Sequence, residues 1–314
     1  MTAWVEKPVN SNFPVWRLYA THIEKTQEAS ITMTRSETAL HRQGILCVFL
    51  AAVLYSIGGL CIKVIPWNGM SINGARTAIA VVVIGVYLLI THHRLRFNRY
   101  IAIGGVSVFF TNTLFTLANK LTTAANTIVL QFTCPIFVIL LSWIFWKKKP
   151  KKLDILASLL VLSGVVCFFL DSLEMGGMLG NLLALASGLS YAGVFLLNDL
   201  PDCDPISSVF WGAVMSMVTG LPFLFQETVF TGTAILSVVI LGAFQVALAY
   251  ILMCIGLKTT PPVTACLISG IEPILNPVLV AVFYGETIGP MALVGSVIVI
   301  TSVVVYNVLE AKNK

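Results

Sequence analysis

The sequence contains few charged residues. Only 11% of its 314 residues are Asp, Glu, Lys or Arg, whereas a soluble domain usually carries about 25%. Hydrophobic residues account for 57%, and the mean hydropathy is +0.92. Too few polar side chains are present to cover a water-soluble surface. The composition therefore disfavours a soluble enzyme, a nucleic-acid-binding protein and a disulfide-stapled secreted domain.

Catalytic and metal-binding patterns are also scarce. The seven cysteines include no CxxC pair, and all but Cys203 lie in apolar runs, so they are interpreted as small buried hydrophobic residues. No phosphate-binding GxxxxGK[ST] pattern occurs. The histidines lie in the N-terminal tail or in one loop: His22, His41, His92 and His93. The sequence therefore predicts no enzymatic activity, no metal and no cofactor.

Long apolar runs dominate the rest of the chain. Runs of about 17–25 residues are long enough to cross a bilayer as helices. Ten are predicted, at 44–65, 70–90, 99–119, 123–146, 153–171, 177–198, 206–226, 232–257, 261–284 and 288–309. We therefore expect an all-α polytopic membrane protein with ten transmembrane helices and no inserted soluble domain.

The polar tail at residues 1–43 contains no apolar run typical of a secretory signal peptide. Met33 lies shortly before the first predicted span, and we hypothesise that the preceding 32 residues are dispensable or reflect an overlong start assignment. The first span itself is expected to direct membrane insertion.

The distribution of basic residues predicts the orientation. Thirteen Lys and Arg residues fall on the side of the N-terminus, and Lys63 and Lys120 fall on the other. Cytoplasmic loops carry an excess of Lys and Arg, so we expect both termini in the cytoplasm and the chain in the plasma (cell inner) membrane. The basic loop 147–152 is interpreted as a topology determinant, and not as a patch for nucleic acid or acidic lipid.

An internal repeat appears at an offset of 138 residues. Lys120-Leu121-Thr122 matches Lys258-Thr259-Thr260, and Cys134-Pro135-Ile136 matches Glu272-Pro273-Ile274. Because each copy has five spans, the second copy is inverted relative to the first, as in many secondary transporters. A duplicated scaffold without transport is the alternative. The expected parts are a tail and two five-helix repeats, at residues 1–43, 44–171 and 177–309.

The repeated residues resemble a known family. The first copy contains Leu117, Lys120, Leu121, Thr122, Ala125, Leu130 and Pro135. The second contains Gly256, Leu257, Lys258, Thr264, Leu267, Glu272 and Pro273, followed by Gly285-Glu286. With Arg76 early in the second span, this pattern resembles the EamA-like ten-span permeases of the drug/metabolite transporter superfamily. Lys147-Lys148-Lys149 stands where that family has Gly-Glu-Arg.

The resemblance implies a fold of two inverted five-helix repeats and a transport function. The family includes exporters of amino acids, metabolites and drugs, and carriers of sugar nucleotides or nucleoside derivatives. The resemblance therefore indicates a fold more specifically than a substrate.

Polar residues at bilayer depth are the candidate substrate ligands, since burying them in lipid is unfavourable. Glu272 lies near the middle of the ninth span and shares one helix face with Ser269 and Asn276. Pro135 and Pro273 leave backbone carbonyls without a donor, which predicts two broken helices at the midplane. The remaining candidates are Tyr55, Asn112, Gln131, Tyr191, Gln245 and Tyr250.

Each candidate has a structural alternative. The tyrosines, Asn112 and Gln245 could serve interhelical packing or hydrogen bonding. Glu272 could carry a proton, pair with a substrate amine, or only hydrogen-bond the loosened backbone at Pro273. Arg76 could snorkel to the interface or attract anionic substrates.

Together these features predict a secondary transporter that exports amino acids or related amphipathic solutes by alternating access. The expected partners are a small-molecule solute, with proton coupling as an option, and the lipid bilayer; no nucleic acid is expected, and a homodimer is compatible with the sequence. A carrier of a sugar nucleotide, nucleoside derivative or lipid-linked head group is one alternative. A non-transporting membrane scaffold or sensor is the other.

Overall fold

The structure is a computed structural model, and it describes residues 39–122, 124–168, 177–275, 278–279 and 290–312. The N-terminal tail before residue 39, Asn276 and the Gly285-Glu286 motif lie outside the described residues. Within the described ranges the chain is helical, with short loops and no strands. Residues 44–314 form one compact unit, and the segment before it forms another, described only where the first helix begins.

The helices are numbered along the chain. They are α1 (39–55), α2 (Gly58–Val64), α3 (Gly69–Ile90), α4 (Arg99–Leu121), α5 (Ala124–Gln131), α6 (Cys134–Trp146), α7 (Lys152–Phe168), α8 (Met178–Phe195), α9 (Pro205–Leu224), α10 (Gly232–Ile240), α11 (Ala249–Gly256), α12 (Pro262–Ile268) and α13 (Pro290–Lys312). Leu241–Leu248 is a π-helical segment between α10 and α11, and Ser269–Ile271 is a 3-10 turn after α12.

Eight helices in the described ranges are long and apolar enough to cross a membrane. They include the first span, Ala39–Ile62, which a turn at residues 56–57 interrupts. The fifth predicted span appears as α7, with 17 residues, and the ninth as the shorter apolar stretch Pro262–Leu275. The chain is therefore a multi-pass helical membrane protein, and ten crossings stay a prediction.

Short polar side chains fix where several helices begin. The Asn68 side chain accepts a hydrogen bond from the Ser71 amide, and Asn98 accepts from the amides of Tyr100 and Ile101. Such caps satisfy amides that have no partner inside the helix. These helices therefore begin at defined residues although their interiors are almost uniformly apolar.

The central packing pairs helices from equivalent positions of the two sequence repeats. α3 packs against α9, and α7 packs against α13. Gly74 and Gly220 allow the first pair to touch through the backbone, because a Cβ atom added to Gly74 would lie 2.3 Å from the carbonyl carbon of Gly220. Pairing of equivalent helices is the arrangement expected when two similar halves are related by a two-fold axis.

The loops sort into two ends. At one end, His93 contacts Asp204 at 2.7 Å, and Lys148 contacts Asp199 at 2.9 Å. We call this the lysine-rich end, because it contains the loop 147–152. At the opposite end, the Trp67 indole donates to the Val229 carbonyl at 2.7 Å. Loops therefore alternate between ends along the chain, as helices that each cross once would require.

Both midplane helices are broken, as the prolines predict. A turn at residues 132–133 separates α5 from α6, and the 3-10 turn follows α12. α6 ends at Lys147, which adopts a left-handed conformation with φ of 56°. Glycine is the usual residue in this conformation, so Lys147 caps the helix in the position where the resembled family has glycine.

Candidate functional site

A small cavity lies between the two broken helices and the long helices α3 and α4. We call it the central cavity, and its volume is about 30 Å³. This is a space on the scale of a few water molecules. The described residues that line it are Tyr55, Arg76, Thr111, Asn112, Phe115, Gln131, Tyr191, Gln245, Tyr250 and Glu272. Both repeats contribute, so the site is shared between the halves of the chain.

Arg76 on α3 is the positive charge of this cavity. It is 1% exposed, and its guanidinium is held by neutral groups on three elements. Nη1 donates to Gln245 Oε1 at 3.0 Å. Nη2 donates to the Asn112 carbonyl at 3.0 Å and to Thr116 Oγ1 at 2.7 Å. The side chain is therefore fixed in place, although Nε has no partner among the described residues.

The partners of Arg76 are themselves positioned by the backbone. Asn112 Nδ2 donates to the Val108 carbonyl at 3.1 Å, and Thr116 Oγ1 donates to the Asn112 carbonyl at 2.8 Å. Gln245 lies in the π-helical segment, a geometry that is frequent at functional sites. The guanidinium is thus oriented by groups that cannot easily move away from it.

Glu272 is the acidic residue of the cavity. It follows the 3-10 turn, and only 7% of its surface is exposed. Its Oε2 atom has no hydrogen-bond partner in the described part of the chain. The ion pairs found there involve His93, Lys148 and Lys151, and neither Arg76 nor Glu272 belongs to one. The cavity therefore holds a basic and an acidic side chain that do not form an ion pair with each other.

Three tyrosines form one wall of the cavity. The ring centroids of Tyr55 and Tyr191 are 6.1 Å apart, and those of Tyr55 and Tyr250 are 5.6 Å apart, both edge to face. The hydroxyl oxygens of Tyr55 and Tyr191 are buried and have no partner within the described residues. A buried polar group without a partner is destabilising by about 1–3 kcal/mol. Two hydroxyls, a guanidinium nitrogen and a carboxylate oxygen therefore make this lining a polar surface that can hold water or a polar ligand.

The structure brings together seven of the nine predicted ligands. These are Tyr55, Asn112, Gln131, Tyr191, Gln245, Tyr250 and Glu272. Ser269 is not part of the lining; it is fully buried, and its hydroxyl donates to the Ala265 carbonyl at 3.1 Å. Asn276 lies outside the described residues.

Sequence reasoning missed some of the lining. From the sequence, Arg76 is either a cation that snorkels to the interface or an attractor for anions. Its complete burial at the cavity contradicts snorkelling. Thr111 and Phe115 were not proposed. Their spacing of four residues, next to Asn112 on the same helix, is the signal that could have identified them.

One family model matches both repeats of the chain, and two curated relatives are named as transporters. The model of the EamA-like transporter family matches residues 42–170 and again residues 178–308. An uncharacterized transporter of Clostridium kluyveri is 26% identical over 298 residues, covering 85% of this chain and 94% of its own length. The uncharacterized transporter YwfM of Bacillus subtilis is 26% identical over 208 residues, covering 64% of this chain and 70% of its own length.

A solved protein crystal structure has the same fold. It superposes with a TM-score of 0.74 over 86% of this chain and 98% of its own, at 19% sequence identity. At this identity the likeness shows a shared fold, and it says nothing about which residues line the cavity.

Proposed function

We propose that this chain, which belongs to the EamA-like transporter family, moves small zwitterionic metabolites across the membrane by alternating access around the central cavity. Amino acids are the first candidates. The observation that carries the proposal is that a basic residue, Arg76, and an acidic residue, Glu272, line one cavity without forming an ion pair.

A zwitterion would satisfy both charges at once. Its carboxylate would accept hydrogen bonds from the Arg76 guanidinium, which matches carboxylates well. Its ammonium would donate to Glu272, whose Oε2 has no partner among the described residues. The unpartnered hydroxyls of Tyr55 and Tyr191 would contact the remaining polar or aromatic part of the solute.

The small cavity supports alternating access over a permanent channel. A space of about 30 Å³ between the described lining residues is small for an amino acid, so binding a solute would widen the space between the two repeats. Two half-equivalent broken helices, with turns at residues 132–133 and at Ser269–Ile271, flank the site. Transporters built from repeats move such elements around a fixed midplane site.

We further propose that the lysine-rich end faces the cytoplasm of a plasma-membrane protein, and that net movement is export. The excess of Lys and Arg at this end supports the orientation. Glu272 would couple transport to protons by binding a proton or the substrate amine in turn. Cysteine-accessibility labelling of the loop 147–152 from each side of intact cells tests the orientation.

Carriage of a sugar nucleotide or another polyanion is less well supported. Arg76 is the single basic residue among the described residues that line the cavity, and an acidic one faces it. Lys120, at the opposite end, donates to the Ile65 carbonyl at 2.8 Å. A polyanion would meet one positive charge and one negative charge here.

Counterflow in proteoliposomes tests the proposal. Vesicles loaded with one unlabelled amino acid should accumulate the same labelled compound. Glu272→Gln should reduce this exchange about 10–100-fold, because a charged hydrogen bond is worth about 1.5–3 kcal/mol. Glu227→Gln is the matched control. Glu227 accepts a hydrogen bond from the Asn68 amide and is not among the described residues that line the central cavity. Exchange of no zwitterion, together with capture of a soluble protein by the loop 147–152, would instead support a scaffold or sensor.

A further inference from the structure

A second and larger cavity lies at the lysine-rich end. We call it the vestibule, and its volume is about 270 Å³. Its walls come from α6, the loop after it, α12 and α13. Ile139 and Ser142 on α6 and Val263 on α12 mark its inner wall. It is about nine times larger than the central cavity, whose volume is about 30 Å³.

Ion pairs between the two sequence repeats border the vestibule. Lys148 contacts Asp199 at 2.9 Å, and Lys151 contacts Glu310 at 2.9 Å. The hydrogen bond to Glu310 raises the pKa of Lys151 above its usual range, so the ammonium remains charged at neutral pH. In each pair the lysine belongs to the first repeat; Asp199 belongs to the second, and Glu310 follows directly after it on α13. The halves are therefore held together at this end by contacts that can open.

A thiol contact lies between the vestibule and the central cavity. Cys134 Sγ and Cys266 Sγ are 3.2 Å apart, and each residue is 1% exposed. Along the chain, Cys134 lies between Gln131 of the central cavity and Ile139 of the vestibule. Cys266 lies between Val263 of the vestibule and Glu272 of the central cavity.

The surroundings of the two thiols are apolar. Val138, Ala265 and Ile268 are buried in the same cluster as the cysteines. α6 and α12 pack against each other, and each has a break on its midplane side. The contact therefore combines a small, dry surface with two hinges, which suits a seal that opens and closes.

We propose that the vestibule is the route of the solute to the lysine-rich end, and that the Cys134–Cys266 contact is the gate that closes it from the central cavity. This inference rests on the proposed transport function. Opening would move α6 away from α12 about the breaks at residues 132–133 and 269–271 and join the two cavities.

A disulfide between the two thiols tests the gate. Copper phenanthroline would remove one proton and one electron from each thiol and pass the electrons to oxygen. The sulfur atoms would then approach from 3.2 Å to about 2.0 Å. In the native chain we expect mass spectrometry to find this disulfide and counterflow to fall at least tenfold. A reducing agent should restore the exchange.

Single variants provide the matched controls. For Cys134→Ser and for Cys266→Ser, the exchange rate after oxidation should equal the rate of the same variant before oxidation, since each lacks one sulfur. A crosslinked protein that exchanges at the untreated rate would overturn the gate, and so would oxidation that forms no Cys134–Cys266 disulfide. Absence of counterflow in untreated protein would overturn the transport function instead.

A labelling experiment tests for a seal between the vestibule and the central cavity, and it needs no substrate. A water-soluble maleimide should modify Val263→Cys, on the vestibule wall, at least ten times faster than it modifies the native Cys266. Mass spectrometry of labelled peptides separates these sites from the other cysteines. Equal labelling rates would show that no seal lies between Val263 and Cys266, and would contradict the proposal.

Discussion

The two buried charges of the central cavity are held in contrasting ways. Arg76 is surrounded by hydrogen-bond acceptors from α3, α4 and the π-helical segment. Glu272 has a buried oxygen without a partner and follows a helix break. Both residues line the same cavity and belong to opposite repeats.

This contrast separates two roles that a buried charge can serve. A charge with several fixed partners contributes to the assembly of its surroundings, because its removal leaves those partners unsatisfied. A buried ionisable group with few partners adds no stability, because its charged form is costly to bury, and it is available to a proton or a ligand. Arg76 is thus expected to act in both stability and binding, and Glu272 in binding alone.

Removing the guanidinium should have the largest effect on stability. Arg76→Met would leave Gln245 Oε1 and the acceptors on α4 buried without a donor. We expect the free energy of unfolding to fall by about 3–5 kcal/mol. Thermal unfolding of the purified protein in detergent measures this change. A stability equal to that of the parent would show that the network around Arg76 is not structural.

Removing the negative charge should abolish function with little effect on the fold. Glu272→Gln keeps the size of the side chain and removes a charge that has no ion-pair partner in the described part of the chain. We expect the unfolding free energy to stay within about 1 kcal/mol of the parent, and counterflow to fall at least tenfold. Loss of stability matching that of Arg76→Met would erase the contrast between the two charges.

Moving the carboxylate from one side of the cavity to the other tests whether its position matters. Gln131 lines the same cavity beside the break after α5. In the double variant Glu272→Gln, Gln131→Glu, the cavity again contains a carboxylate, which is now on the first repeat. We expect several-fold more counterflow than in Glu272→Gln alone. No recovery, in a protein that unfolds at the parental temperature, would mean that the carboxylate must be on the second repeat.

The smallest effect is expected at the tyrosine wall. Tyr55→Phe removes a buried hydroxyl without a described partner and keeps the ring contacts with Tyr191 and Tyr250. Stability should be unchanged or slightly higher. If the hydroxyl contacts the solute, KM should rise about fivefold, since one neutral hydrogen bond is worth about 1 kcal/mol. Tyr100→Phe is the control, because Tyr100 is not among the described residues that line either cavity, and its hydroxyl accepts a hydrogen bond from Arg99 at 2.9 Å.

Much of this site was accessible from the sequence because polar residues are rare in the spans. Gln131, Gln245 and Glu272 stand out in apolar runs, and the structure places all three at one cavity. The helix breaks followed from Pro135 and Pro273, which lack an amide donor. Composition and proline positions are local properties, so their effects can be predicted without knowledge of tertiary contacts.

What the sequence did not predict depends on tertiary contacts. The burial of Arg76 follows from partners up to 169 residues away, and no local pattern distinguishes it from a snorkelling cation. The Cys134–Cys266 contact spans 132 residues without a motif. The π-helical segment, which presents Gln245 to Arg76, has the apolar composition of an ordinary helix.

The small volume of the central cavity has a consequence for the energetics of the cell. An aqueous pore that stayed open between turnovers would let protons and inorganic ions leak down their gradients. The described lining residues leave a space of only about 30 Å³ at the central cavity, which narrows the path that water could take between the repeats. A protein that rests in this form between transport cycles would limit such leakage and help to preserve the membrane potential.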